Sequence, residues 1–234
     1  MTAPDLAGTR VERVLDAAAD LLVRWGYQRV TIDEVARHAG IGKGTVYLHF
    51  RTKDALFLTV LLRAHRRISD QIVARMEADP VYALPAPLMR ESYLELASDP
   101  VTRSLYLGDA EVLGRLAHEA EETLGELTDR RTAAFQEHLR LLQDAGCMRS
   151  DLSVDALRYM ISAIVMGFFT VDGMPLPGAP DVDGRADLLE HAVAAAVQVP
   201  DPPADELERL APTIAQLYRP VIEHIDHEWR QRVR

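Results

Sequence analysis

With 234 residues, 48% of them hydrophobic and 26% charged, the chain has the make-up of a soluble globular protein rather than a disordered, fibrous or disulfide-stapled one. Its single cysteine, Cys147, can form no internal disulfide, and its opening "MTAPDLAGTR" lacks the basic-then-apolar pattern of an export signal, so a reducing cytoplasm is the expected location. A net charge of −10 would argue against a polyanionic partner only if it were evenly spread, yet residues 1–75 hold 12 Lys and Arg against 8 Asp and Glu, and residues 76–234 hold 14 against 28.

Ala and Leu abound and aromatic residues are scarce, which favours helices. The first predicted helix opens with a capping box, Thr9 with Glu12, and carries Val11, Val14, Leu15, Ala18, Leu22 and Trp25 at helical spacing until Gly26 ends it. A second capping box, Thr31 with Glu34, opens a short helix over "IDEVARHA" that Gly40 stops. The third element spans Lys43 to His49, and a fourth starts near Thr52 and Asp54. Its stripe of Leu56, Val60, Leu61, Ala64, Ile68, Ile72 and Met76 leads to a loop, "DPVYALPAP".

Further helical patterns fall at about 87–98, 101–107, 110–116, 119–145, 153–171, 184–198 and 204–231, divided by Pro/Gly/Asp-rich stretches. The apolar run from Tyr159 to Val171 is 13 residues, short of the ~20 a membrane span needs, and reads as a buried core helix. Pro212 and Pro220 should kink or restart the last helix, whose seam is Leu207, Leu210, Ile214, Leu217, Val221, Ile225 and Trp229. No segment alternates with period two, so the fold class is all-α.

The stretch "GIGKGTVYLHF" (residues 40–50) decides the function class. Its glycines fit neither a Walker loop, because Gly44 follows Lys43, nor the G-x-G-x-x-G dinucleotide spacing. A helix-turn-helix fits: Ala36 is small where two helices cross, Gly40 tolerates the turn, and Val46 and Phe50 can pack with Val35 and Ile41. Lys43, Gly44, Thr45, Tyr47 and His49 are then left on the outer side, where recognition helices meet DNA. Of the two lysines of the chain, Lys43 lies within this stretch and Lys53 just beyond it.

The segment "TIDEVARHAGIGKGTVYLHFRTKDALF" resembles the DNA-binding segment of the TetR (tetracycline-repressor-like) family of transcriptional regulators, over roughly residues 10–60. The resemblance assigns Thr31 to a phosphate contact, and Lys43, Gly44 and Thr45 to the groove. Tyr47 and His49 go to base or phosphate, and Lys53 to phosphate. A departure is Gly42, where the family often has a side-chain cap; glycine is a tolerable cap, weaker by about 0.5 kcal/mol.

The resemblance further implies a three-helix head (1–53) and a ligand-binding and dimerisation body (54–203); the seam of the last predicted helix adds a C-terminal helical extension at 204–234, expected to pack against the body or across the dimer. It implies a homodimer built on the helices at 119–145 and 153–171, although a monomeric core helix would have much the same composition. Expected partners are a near-palindromic double-stranded operator and a small molecule that relieves repression, without a cofactor or membrane. Large apolar residues and hydroxyls nominate Met89, Tyr93, Leu96, Tyr106, Met160 and Phe168 as pocket liners, with His118 either a polar contact or a surface residue.

No catalytic triad stands out, and "EHIDHEW" places His224 and His227 on one helix face without the H-E-x-x-H spacing of a zinc site. Two other readings stay open. One is a helical ligand-binding or enzymatic protein whose helix-turn-helix makes protein contacts. The other is a DNA-binding regulator that needs no ligand.

Overall fold

The computed structural model describes residues 3–106, 121–172, 174 and 176–232, with side-chain surroundings for 10–103, 125–172, 174 and 176–231. Extended pairing among them is confined to an isolated antiparallel bridge between Met148 and Gln198. The order is α1 (Ala3–Arg29), α2 (Ile32–His38), α3 (Lys43–His49), α4 (Lys53–Ala78), a 3₁₀ turn (Pro80–Ala83), α5 (Pro85–Ser98) and α6 (Pro100–Tyr106). After the undescribed stretch come α7 (Glu121–Asp144), α8 (Val154–Asp172), α9 (Val182–Val197) and α10 (Ala204–Arg232). The helix expected at 110–116 lies outside the described residues.

The helices form two compact units. The first takes the described parts of residues 1–66, 99–126 and 224–234. Val11, Val14, Leu15, Ala18 and Leu22 of α1 pack there with Val35 and Ala36 of α2, Val46 of α3, Phe50, and Leu56, Phe57, Val60 and Leu61 of α4. Each of the Val, Leu and Phe side chains among them contributes about 1.5–3 kcal/mol by leaving water. Arg63 of α4 donates to both Glu12 and Asp16 of α1, each at 2.8 Å.

One expectation for α1 is corrected and one holds. The helix begins at Ala3, so Thr9 does not start it, and Glu12 is held by Arg63 instead of turning back as a cap. Gly26 does break the helix as expected: at φ 75°, ψ 159° its backbone is non-helical, a short further helical stretch runs on to Arg29, and Trp25 beside the break stays 43% exposed.

The second unit takes residues 67–98 and 127–223. Its core joins Val73 and Met76 of α4, Leu88 and Tyr93 of α5, Leu139 and Leu142 of α7, Leu157 and Ile161 of α8, Leu189 and Val193 of α9, and Leu207, Leu210 and Ile214 of α10. Ion pairs tie the helices at the edge of this core. Glu91 of α5, almost fully buried, receives Arg75 of α4 and Arg90 of its own helix, each at 2.8 Å. Asp172 at the end of α8 accepts from Arg185 of α9 at 2.9 Å and from the Tyr93 hydroxyl of α5. Cys147 is buried, and burial pushes its thiol pKa up, as a packing residue requires.

Three further expectations change. The "DPVYALPAP" stretch is not irregular: Asp79 caps the 3₁₀ turn by accepting from the Val81 amide at 3.0 Å, and α5 starts at Pro85. Pro212 and Pro220 do not break α10, which runs as one helix through both. Both prolines lie on its exposed side, opposite the seam, where a missing amide donor costs least. Finally, α8 is not a buried core helix. Leu157 and Ile161 are buried, but Tyr159 is 72% and Met166 62% exposed. By length and composition α8 could cross a membrane; it nevertheless shares the unit's core and is ion-paired to α9 through Asp172.

Candidate functional site

Local chemistry fixes the α2–α3 corner. Thr31 adopts extended backbone (φ −118°, ψ 156°) ahead of α2, and its hydroxyl accepts from the Glu34 amide at 3.3 Å while the Glu34 carboxylate accepts from the Thr31 amide at 2.8 Å. The expected capping box is present. At the other end Gly40 takes φ 66°, a left-handed conformation that side chains resist, and the Ile41 amide reaches back to the Ala36 carbonyl at 3.0 Å. Val46 and Phe50 are buried, and Ile41 packs partly buried against the same core.

Gly42 caps α3 with no side-chain hydrogen bond, and its carbonyl accepts from the Thr45 amide at 2.9 Å. The outer face of α3 carries exposed Lys43 and Gly44, half-buried Thr45 and Tyr47 at 45% exposure. His49 is half-buried, with its ring 6.4 Å from that of Phe50. Leu48, 74% exposed, was not among the sequence candidates. The signal was available, because at helical spacing residue 48 faces away from the Val46–Phe50 side.

The two lysines are engaged by the protein itself. The Lys43 ammonium lies 2.8 Å from the Asp33 carboxylate and 5.8 Å from the Tyr47 ring centre, and the Asp33 hydrogen bond raises its pKa. The Lys53 ammonium sits 4.1 Å over the ring of buried Tyr27, which itself meets Phe57 edge-on. Thr31 is exposed at the start of α2.

In the second unit a cavity of about 370 Å³ opens between α4, α5, α7, α8 and α10. Apolar side chains make most of its wall, among them Ile72, Met89, Phe135, Ile161 and Val165. Met89 is thus the sequence-nominated liner found there. Tyr93 is buried in the core with its hydroxyl on Asp172, Met160 and Phe168 pack partly buried against that core, and Leu96 is half-buried away from the cavity. Tyr106 and His118 lie outside the residues whose side chains are described.

Sequence reasoning passed over Arg131, Arg158 and Tyr218, which also line the cavity. Arg158 had a visible signal, since it is the one basic residue of α8 and stands immediately ahead of the apolar run. Tyr218 meets buried His138: Nδ1 lies 2.8 Å from the phenol oxygen and Nε2 2.7 Å from the Ala83 carbonyl oxygen. Burial depresses the His138 pKa to about 4, so the ring is neutral near pH 7. A carbonyl can only accept, so Nε2 carries the proton and Tyr218 donates to Nδ1. In α10, His224 is half-buried with Nε2 buried and unpartnered, and His227 Nε2 meets the Gln231 amide at 2.6 Å.

Comparison with known proteins follows this geometry. Residues 14–60 match the family described as "Bacterial regulatory proteins, tetR family". The HTH-type transcriptional regulator AlkX of Mycobacterium tuberculosis is 27% identical over 76% of this chain and 80% of its own. The HTH-type transcriptional repressor Rv1474c of the same organism is 24% identical over 81% and 95%. Among solved structures, the SmeT–triclosan complex superposes with a TM-score of 0.63 at 25% identity over 82% of this chain and 93% of that one. SmeT itself, the repressor of the Stenotrophomonas maltophilia multidrug efflux pump SmeDEF, gives 0.60 at 23% over 81% and 91%. The family match falls on the capped α2, the Gly40 turn and the outward face of α3, and the relatives extend the likeness through the helical body. Over residues 14–60 the chain matches the tetR family of bacterial regulatory proteins, and along most of its length it is similar to HTH-type transcriptional regulators.

Proposed function

We propose that the chain is a homodimeric repressor that binds a near-palindromic operator and leaves it when a small molecule enters the α4–α5–α7–α8–α10 cavity. DNA binding is assigned to residues 1–53, ligand binding and dimerisation to 54–203, and a supporting role to 204–234. The observation that carries the reading is the outer face of α3. Lys43, Gly44, Thr45 and Tyr47 project from a helix whose other side is locked by Val46 and Phe50, so a rigid, polar, hydroxyl-bearing surface meets the groove. Thr31 and Lys53 serve the phosphate backbone, and His49 borders the contact.

The dimer face is assigned to α8 with α9. Tyr159, Met166 and Val171 of α8 and Leu188 of α9 are all between 44% and 72% exposed, and Ser162, Ala163 and Gly167 lie open beside them. Apolar surface of this extent calls for a partner. The exposed side of α7, expected from sequence to share the interface, instead carries Asp129, Arg130, Arg131, Gln136 and Arg140. Support for ligand control comes from the cavity and from SmeT, a repressor solved with triclosan. Ligand acts by binding one state of the dimer better than another, and the same coupling energy lowers operator affinity. The chain performs no chemistry in this reading and works in the cytoplasm, where the operator is.

Selection of bound sequences from random duplex DNA tests the reading. The expected result is a near-palindrome with half-sites about one helical turn apart, whose affinity falls steeply with salt and is relieved by members of a metabolite collection. Enrichment of no sequence would sink it.

A further inference from the structure

We propose that the cavity of the second unit takes an organic anion, a carboxylate on an apolar body, and that Arg158 and Arg131 anchor the carboxylate. This rests on the reading of that cavity as the ligand site and names its chemistry. The wall contains two guanidiniums and no Asp or Glu. Elsewhere in this unit arginines are matched with acids: Arg75 with Glu91 and Glu95, Arg90 with Asp187, Arg185 with Asp172, Arg219 with Glu77. Neither Arg131 nor Arg158 has an ion pair among the described residues, and Arg158 Nε is buried without a hydrogen-bond partner.

Arg131 is exposed, but Arg158 is half-buried with its Nε out of water, and leaving that group unpaired is costly; a bidentate carboxylate matches the guanidinium's fork of donors. Tyr218 cannot take over this task. Its proton is committed to His138 Nδ1, so it offers the cavity a lone pair, which favours a neighbouring cation and repels an anion. The polar anchors come from α7 and α8, while Ile72, Met89, Phe135 and Val165 offer the hydrocarbon part an apolar bed. At about 370 Å³ the space falls at the small end of sites for drug-sized molecules.

Three probes with the same ten-carbon chain separate charge from shape: decanoate, decanol and decylamine, each titrated calorimetrically into the whole protein below its aggregation concentration. Decanoate is expected to bind about tenfold or more tighter than decanol, the effect of a charge-assisted hydrogen bond, and decylamine more weakly than either. The preference should fade as the pH drops through the carboxylate pKa. Arg158→Met should abolish it while keeping decanol affinity, and Arg158→Lys should retain part of it.

Equal binding of decanoate and decanol, or a preference that survives Arg158→Met and Arg131→Gln together, would overturn the anion assignment. A cavity-filling variant, Val165→Trp, distinguishes the two levels of the argument. If decanol binding disappears in that variant, the cavity is the binding site and only the charge question is at stake. If all three probes bind it as they bind the parent protein, the cavity reading itself is wrong, and this inference falls with it.

Discussion

Gly44 occupies the second position of α3, exposed, with no atom within 4 Å of where a Cβ would stand. Alanine would therefore fit and would favour the helix by about 0.5–1 kcal/mol. The proposed groove contact needs the bare backbone, so Gly44→Ala should leave the melting temperature unchanged or higher while raising the operator Kd about tenfold or more, the scale of one disturbed base contact. Calorimetry and DNA titration on one preparation check both halves, and an unchanged Kd would reduce Gly44 to an ordinary helix residue. Lys43 gives a second case. Its ammonium is already held by Asp33 at 2.8 Å, so a DNA phosphate must compete with a carboxylate of the same chain. Asp33→Asn should tighten DNA binding at low salt, with the gain shrinking as salt screens it; weaker binding would instead make Asp33 the residue that positions Lys43. The outward set of α3 was legible because Val46 and Phe50, four apart, define the inner face. The Asp33 pairing was not, since it crosses the turn between residues ten apart, and spacing within one helix carries no information about it.

Among the helices, α8 shows what apolar character leaves undecided. Its run of Met, Ile, Val and Phe announces a helix hidden from water but does not distinguish a core from an interface, because nearly every side of it is apolar. Its 72% exposure makes Tyr159 a clean probe. In a monomer, Tyr159→Glu would place a charge in water at little cost, whereas in the proposed dimer it buries an unpaired carboxylate. The variant should keep its helical circular dichroism, sediment as a monomer, and lose most operator affinity; a dimer of normal affinity would move the interface elsewhere. His138 of α7 joins two other elements through Ala83 and Tyr218, and it sets a pH response. Its pKa is about 4 folded and 6.5 unfolded, so between these values the unfolded chain binds the extra proton. Stability is then full above pH 6.5 and falls as pH drops toward 4, by up to ~1.4 kcal/mol per unit and about 3 kcal/mol in all. Denaturant titrations across that window should show the slope, and His138→Asn should flatten it even while lowering stability at pH 7. The histidine gave no sequence signal, because both its partners are distant in the chain.

At the scale of the molecule, chain order and compact units do not coincide. The periodicity of each helix predicted which side would be buried, and the seams of α4 and α10 were legible for that reason; it could not say against what. Ligand and partner also share residues: Ser162 and Met166 line the cavity and are exposed on the face assigned to the dimer. A molecule pressing on them would bias that face, which gives the proposed coupling a physical route within one unit. α10 bears on both units at once. Leu207, Leu210 and Ile214 are buried in the second core, and Trp229 packs against the first. Its apolar seam could be an optional extension or an integral part, and burial decides for the latter. Ile214→Ala should cost about 2–5 kcal/mol by opening a cavity, read as a lower denaturation midpoint at constant slope. Removing residues 204–234 deletes several such side chains together, a loss comparable to the whole stability of a typical domain, so the shortened chain should lack a cooperative thermal transition. A truncated protein that melted like the parent would mean that α10 merely lies along a body able to stand without it, and the buried seam would then need another explanation than stability.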